Sequence, residues 1–244
     1  LTGVTYDLGL GTIRRGINRP RLYEVPAQRW ADLTDASGAF GLTLMNDGRH
    51  GWDHPDAGTL RLTLIHTPAV NDGWRWVDDE KSQDLGRHRV TIGMLGHGPD
   101  WRTEAVRAAD ALNQPILAFR GLDRTPGPWG RRLSLLQLHD GDGADRLGVA
   151  VRAVKKSEQG DWLVVRLQEL TGAAQADVTV APIAPATAFR ELQADEVVIP
   201  AGGDAHLRAG ALRCDLAAYQ PRTFALALTP PDAAEPVTRR RSEP

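Results

Sequence analysis

The chain has 244 residues, with 29 Lys and Arg against 31 Asp and Glu, a net charge of −2, and 41% hydrophobic residues. That balance gives it no electrostatic drive toward nucleic acid or an anionic membrane. Its single cysteine, Cys214, excludes an internal disulfide and a thiolate metal cluster. No apolar run approaches the roughly 20 residues of a membrane helix, and no secretory leader pattern opens the chain. The length suits one large domain or two ordinary ones.

Short apolar or alternating runs, cut by Gly, Pro and Asp/Asn turns, dominate from the N-terminus onward. Residues 38–45 end in the turn signal Asn46-Asp47-Gly48. In residues 59–65, Leu60, Leu62 and Leu64 alternate with Arg61 and Thr63, the period of a half-buried strand. Residues 88–92, 133–138, 146–154, 162–167, 177–180, 196–199 and 223–228 read the same way. The one helical pattern is 101–112, where Ala105, Ala108, Ala109 and Leu112 recur at helical spacing behind Asp100 as N-cap. Residues 121–132 include TPGPWG (125–130), which continues neither a strand nor a helix and suits a linker. After Thr229 the Pro- and charge-rich tail has little to bury. The expected fold is all-β, sheet packed on sheet.

The densest chemistry lies in residues 46–54: Asn46, Asp47, Arg49, His50, Trp52, Asp53 and His54. Three readings fit. His50, His54 and Asp53 could ligate a metal, although Gly48, Gly51 and Pro55 oppose the helix that would align two histidines. Trp52 could stack on a pyranose while Asp47 or Asp53 accepts its hydroxyls. The third is a hairpin turn whose Asn and Asp side chains satisfy their own backbone. Residues 139–145 (HDGDGAD) resemble a calcium loop, but Ala144 and Val151 occupy ligand positions, so a two-glycine turn is the better account. Trp74 and Trp76 read as a half-buried core pair or an aromatic platform. Arg14-Arg15 and Arg239–Arg241 read as solvated charges. Gly9-Leu-Gly11 lacks the third glycine of a dinucleotide fingerprint, and Ser134 and Ser157 lack a nucleophile elbow.

Seven ordered stretches together resemble the C-terminal region of the glycoside hydrolase family 38 α-mannosidases. They are LGLGTIRR (8–15), YEVPAQRWADL (23–33), FGLTLMNDGRHGWD (40–53), LRLTLIHTP (60–68), HRVTIGMLGHGPDW (88–101), AVKKSEQGDWLVVRLQE (153–169) leading to Gly172, and YQPRTFAL (219–226). Each is weak alone; their order and spacing carry the resemblance. Tyr23, His50-Gly51-Trp52 and Gln168 depart from the family's usual residues while keeping size or polarity.

The resemblance implies an antiparallel supersandwich portion in residues 1–124, a smaller β-sandwich in 125–229 and a mobile tail in 230–244. It implies a parent α-mannosidase hydrolysing terminal α-linked mannose, with a zinc-dependent catalytic domain upstream. No catalytic residue, metal ligand or cofactor is assigned to the 244 residues themselves. Asn46, Asp47, His50, Trp52 and Asp53 are the candidates for a loop lent to the substrate cleft. The expected partners are the catalytic domain, mannose-containing glycans and a second copy of the chain, with neither nucleic acid nor membrane. A stand-alone carbohydrate-binding or purely structural β-sandwich is the alternative. The chain opens at Leu1 rather than Met, which suggests upstream strands and, for the piece alone, self-association, a rearranged edge, or binding to the rest of its enzyme. One cysteine without disulfides suggests the cytoplasm.

Overall fold

A computed structural model describes residues 3–68, 70–71, 76–77, 83–99, 101–120, 133–139, 148–200 and 202–230. Asp100, Trp74, the 121–132 segment, the 140–145 loop and the tail beyond Pro230 lie outside these. So does the side chain of Trp76. The chain divides into two compact units, Leu1–Arg120 and Gly121–Pro244.

The first unit contains β1 (Val4–Asp7), β2 (Thr12–Arg15), β3 (Val25–Pro26), β4 (Trp30–Thr34), β5 (Gly41–Asn46), β6 (Gly51–Asp53), β7 (Arg61–Leu62), β8 (Val70–Asn71), β9 (Trp76–Val77), β10 (Ile92–His97) and the helix α1 (Arg102–Asn113). Its main sheet runs β10-β5-β4-β1-β2, antiparallel throughout. The register aligns Met94, Leu44, Ala31, Tyr6 and Ile13 in one cross-strand row. Because side chains alternate along a strand, Val4, Leu33 and Leu42 share that face. A small sheet, β3-β6-β7, covers the Tyr6 half of it, where Val4, Tyr6, Ala31, Val25, Ala27 and Trp52 form a core. The other half, around Leu42 and Met94, is exposed.

Helix α1 packs against β4, β5 and β10. Ala105, Val106 and Ala109 form its buried stripe, and Gly93 leaves space that Met45 and Leu112 occupy. The N-cap expected at Asp100 is not the one observed. Trp101 takes that position without a side-chain cap bond, because its ring is used in packing: edge-on to Trp30 and stacked on His97. Two strand expectations also shift. Pairing begins only at Ile92, leaving 88–91 irregular, and the 59–65 run contributes only Arg61–Leu62. Leu64 and Ile65 are exposed, so alternation there meets no apolar layer to hold it.

The second unit contains β11 (Leu136–His139), β12 (Val149–Lys156), β13 (Leu163–Glu169), β14 (Gln175–Pro182), β15 (Ala186–Leu192), β16 (Val198–Ile199), β17 (His206–Arg208), β18 (Ala211–Leu216) and β19 (Pro221–Leu228). They form two antiparallel sheets, β11-β14-β18-β17 and β12-β13-β19-β15-β16. Inward-facing Val165, Leu167, Phe224 and Leu226 meet Val178, Val180, Leu212 and Leu216 in one core. Cys214 lies in that core, and burial pushes its thiol up to about 12, so it is an inert packing group. The expected all-β sandwich architecture is what the molecule shows. Among the described residues no helix is long and apolar enough to cross a membrane.

Candidate functional site

The polar turn after β5 is built from the end of a buried strand. Asn46 is fully buried and its side chain is fully used. Its Oδ1 accepts the N–H groups of Gly48 (2.8 Å) and Arg49, its Nδ2 donates to Gln28 O (3.5 Å), and its carbonyl accepts Asn113 Nδ2 (3.0 Å). The left-handed φ of +136° at Gly48 lets the chain reverse there. Asp47 is exposed and accepts the N–H of Thr91 at 3.0 Å. Hydrogen bonding from Thr91 holds its carboxyl below the usual carboxylate range.

His50 is exposed, with Nδ1 3.3 Å from Ala27 O. Asp53 pairs with Arg61 across the β6–β7 ladder. Glu24 lies over Gly51, where a Cβ would come within 2.3 Å of its Oε1, and it accepts the hydroxyl of Thr63. The outer rim of the turn thus presents Asp47, His50, Glu24 and the Asp53–Arg61 pair.

Trp52 does not join that rim. It is fully buried between Val25 and Leu62, its ladder partners, and belongs to the core of the first unit. The sugar-stacking role expected of it is corrected: in an alternating strand the residue between Gly51 and Asp53 points inward, and its large apolar ring is what the small sheet buries. His54 also turns inward, with Nδ1 2.8 Å from Thr59 O and Nε2 buried without a partner. His50, Asp53 and His54 therefore serve three separate local contacts. Among the described residues no group of three or more His, Cys, Asp or Glu could hold a metal ion.

Arg15 is also less solvated than expected. It donates to Pro26 O (2.9 Å) and lies over the Tyr6 ring.

Two buried polar clusters escape a linear reading. In the first unit, Asp32 accepts His97 Nε2 (2.5 Å), Thr43 Oγ1 (2.7 Å) and Thr34 Oγ1 (2.5 Å), while His97 Nδ1 faces Gly98 O at 2.9 Å. Both Asp32 and His97 side chains are wholly inaccessible beneath Trp101. A cavity of about 350 Å³ nearby is lined by Thr34, Asp35, Trp101 and Arg102, and by none of the candidate loop residues.

In the second unit, Arg222 forks onto Glu191 (2.7 and 2.8 Å) and reaches Asp204 (2.6 Å) and Asp215 O (2.7 Å). These bonds join the two sheets at one end of the sandwich. Their hydrogen bonds raise the Arg222 guanidinium further and lower Glu191. Nearby, Glu169 is fully buried and gathers the N–H groups of Thr171 (2.6 Å), Gly172 (2.7 Å) and Tyr219 (2.9 Å). Two of the seven family-like stretches meet at this carboxylate. In sequence, the only signal for it was that both stretches belong to the same pattern.

Residues 2–74, which include the candidate turn, match the Glycosyl hydrolases family 38 C-terminal domain. Over those residues the chain is similar to that family's C-terminal domain. It is 26% identical over 157 residues to alpha-mannosidase G of Dictyostelium discoideum, covering 62% of this chain and 12% of that protein. Two solved Enterococcus faecalis structures share its fold over 92% of its length. One is an alpha-mannosidase (21% identity, TM-score 0.73) and the other a protein in glycosyl hydrolase family 38 (20% identity, TM-score 0.72). The chain spans about a quarter of each of those structures, 24% and 25%. The resemblance read from the seven stretches is borne out.

Proposed function

We propose that this chain is a non-catalytic β-domain portion of a retaining α-mannosidase that hydrolyses terminal α-linked mannose. The observation that carries the reading is the family 38 C-terminal domain match over residues 2–74, supported by fold similarity to larger proteins of that description. In this reading the first unit is the distal part of the family's supersandwich, the second its smaller sandwich, and the partner is a zinc-dependent catalytic domain of the same enzyme. A single, buried cysteine, Cys214, suits a cytoplasmic setting.

The turn after β5 is then the segment lent to the substrate cleft. Asp47 and His50 are its accessible groups. Asn46 and Trp52 hold it from below, and Asp53 is braced by Arg61. Asp47 accepts sugar hydroxyls, which a carboxylate held ionised does well.

The test is Asp47→Ala and His50→Ala, singly, in a mannosidase carrying this chain. Loss of one charge-assisted substrate hydrogen bond raises KM or lowers kcat/KM by about tenfold, with the unfolding midpoint unchanged. Wild-type kinetics in both variants would make the turn purely structural. A complete protein without mannosidase activity would overturn the wider reading.

A further inference from the structure

We propose that a cavity in the second unit, between the β12–β13 and β15–β16 turns, binds a neutral polyhydroxylated ring, the chemistry of a hexopyranose. The cavity measures about 360 Å³, within the size range of small-ligand sites. Its apolar wall is made by Trp162, Leu192 and Ala225, which pack with Val164 on the outer face of the five-stranded sheet, away from the sandwich core. Exposed Val197 and Val198 extend that wall to the rim.

The polar groups of the cavity are of both kinds. The Arg190 guanidinium lies over the Trp162 ring at 4.4 Å. A guanidinium stacked on an indole keeps its in-plane N–H donors available. Glu158, which also pairs with Lys155, and Asp195, whose Oδ1 accepts Val197 N (3.3 Å), line the same cavity and keep further carboxylate lone pairs for a ligand.

The two turns are held together across the cavity. Glu196 accepts Glu158 N (2.8 Å) and Lys155 Nζ (2.8 Å), and it does so from a left-handed backbone, φ +68°. A non-glycine residue in that region costs free energy, so the surrounding structure holds the clasp in place.

The charge pattern selects the ligand. Of the lining residues, an anion would meet the Glu158, Asp195 and Glu196 carboxylates and a cation would meet the Arg190 guanidinium. A ring of hydroxyls uses donors and acceptors together, and its C–H face suits the apolar wall. This site stands apart from the mannosidase reading, which rests on the first unit's family match.

The experiment is titration of the 244-residue chain with methyl α-mannopyranoside and methyl α-glucopyranoside, followed by calorimetry and tryptophan emission. Inorganic phosphate and tetramethylammonium serve as charged comparators. Saturable binding of a glycoside in the millimolar range is expected. Arg190→Ala, at an exposed position, should weaken it about fivefold, the equivalent of one hydrogen bond, without moving the unfolding midpoint. Trp162→Phe should keep the wall but abolish the emission change. No saturation by either glycoside, binding indifferent to Arg190→Ala, or tighter binding of either charged probe would overturn the proposal. A negative result leaves the family relation untouched.

Discussion

The two units solve the same problem, covering a five-stranded antiparallel sheet, in different ways. In the second unit a four-stranded sheet faces it and one apolar core lies between them. In the first, α1 packs on one face and a three-stranded sheet covers only half of the other, leaving Leu42 and Met94 in solvent. Their buried charges differ accordingly. The second unit keeps Glu169 and Arg222 at the ends of strands, where N–H groups and carboxylates converge from turns. The first buries Asp32 in the central strand β4, bonded to His97 at the end of β10 and sealed by the tryptophan that caps the helix. A sandwich end tolerates charge because loops supply partners there. A sheet interior tolerates it only when partners reach it: Thr43 lies opposite Asp32 on the adjacent β5, and His97 reaches across from β10 over Gly41, where a Cβ would come within 2.4 Å of its ring.

The largest expected effect tests that mid-sheet pair. Asp32→Ala removes the acceptor for His97 Nε2 and the hydroxyls of Thr34 and Thr43, all shielded from water. Leaving a buried donor without its acceptor costs about 1–3 kcal/mol, and several lose theirs here, so the expected loss is about 3–5 kcal/mol. Hydrogen exchange should localise the loss to β4, β5 and β10. A loss under about 1 kcal/mol would show that water or a rearranged Trp101 satisfies His97, and that the first unit is less sealed than the second.

Much of this contrast was legible in the sequence and some was not. Short apolar or alternating runs located β5, β13 and β19: β5 alternates buried and less buried positions, while β13 and β19 carry apolar residues to a core on one face and to the Trp162 cluster on the other. Strands β4, β15 and β18 carry charged residues among apolar ones (Asp32, Arg190, Arg213), and those charges find partners only through tertiary contacts. The Asn46–Asp53 stretch was recognisable as a turn rich in polar groups. Which groups face water was not, because the inward direction of Trp52 depends on β3 and β7 pairing on either side of β6. The Trp162–Arg190 cavity joins residues brought together by the intervening strand β19, a relation no local window contains.

A middle-sized effect probes the sandwich end. Burial pushes the Glu169 carboxyl up, but hydrogen bonds from Thr171, Tyr219 and Gly172 outweigh it and hold it below the usual range. Glu191 is lowered mainly by Arg222. A carboxyl depressed in the folded state binds its proton more readily in the unfolded one. Its stabilisation is therefore complete above the ordinary carboxylate value, about 4.3, and is lost as pH falls below that toward the depressed value. Glu169→Gln keeps an acceptor but removes the charge, costing about 1–3 kcal/mol at neutral pH. It should also flatten the acid limb of the second unit's unfolding profile. An unchanged acid limb would assign that limb to Glu191 and Asp204 instead.

The smallest expected effect tests the uncovered half of the first unit. Met94 is 72% exposed on the edge strand β10, in the same cross-strand row as buried Tyr6. If solvent truly meets that end of the row, Met94→Ser removes little buried apolar surface and changes stability by within about 0.5 kcal/mol. The measurement is a denaturant midpoint at two protein concentrations. A larger loss that grows with concentration would mean that the Leu42–Met94 strip is covered by a second copy in solution. The first unit would then complete its sheet covering between molecules, where the second completes it within one.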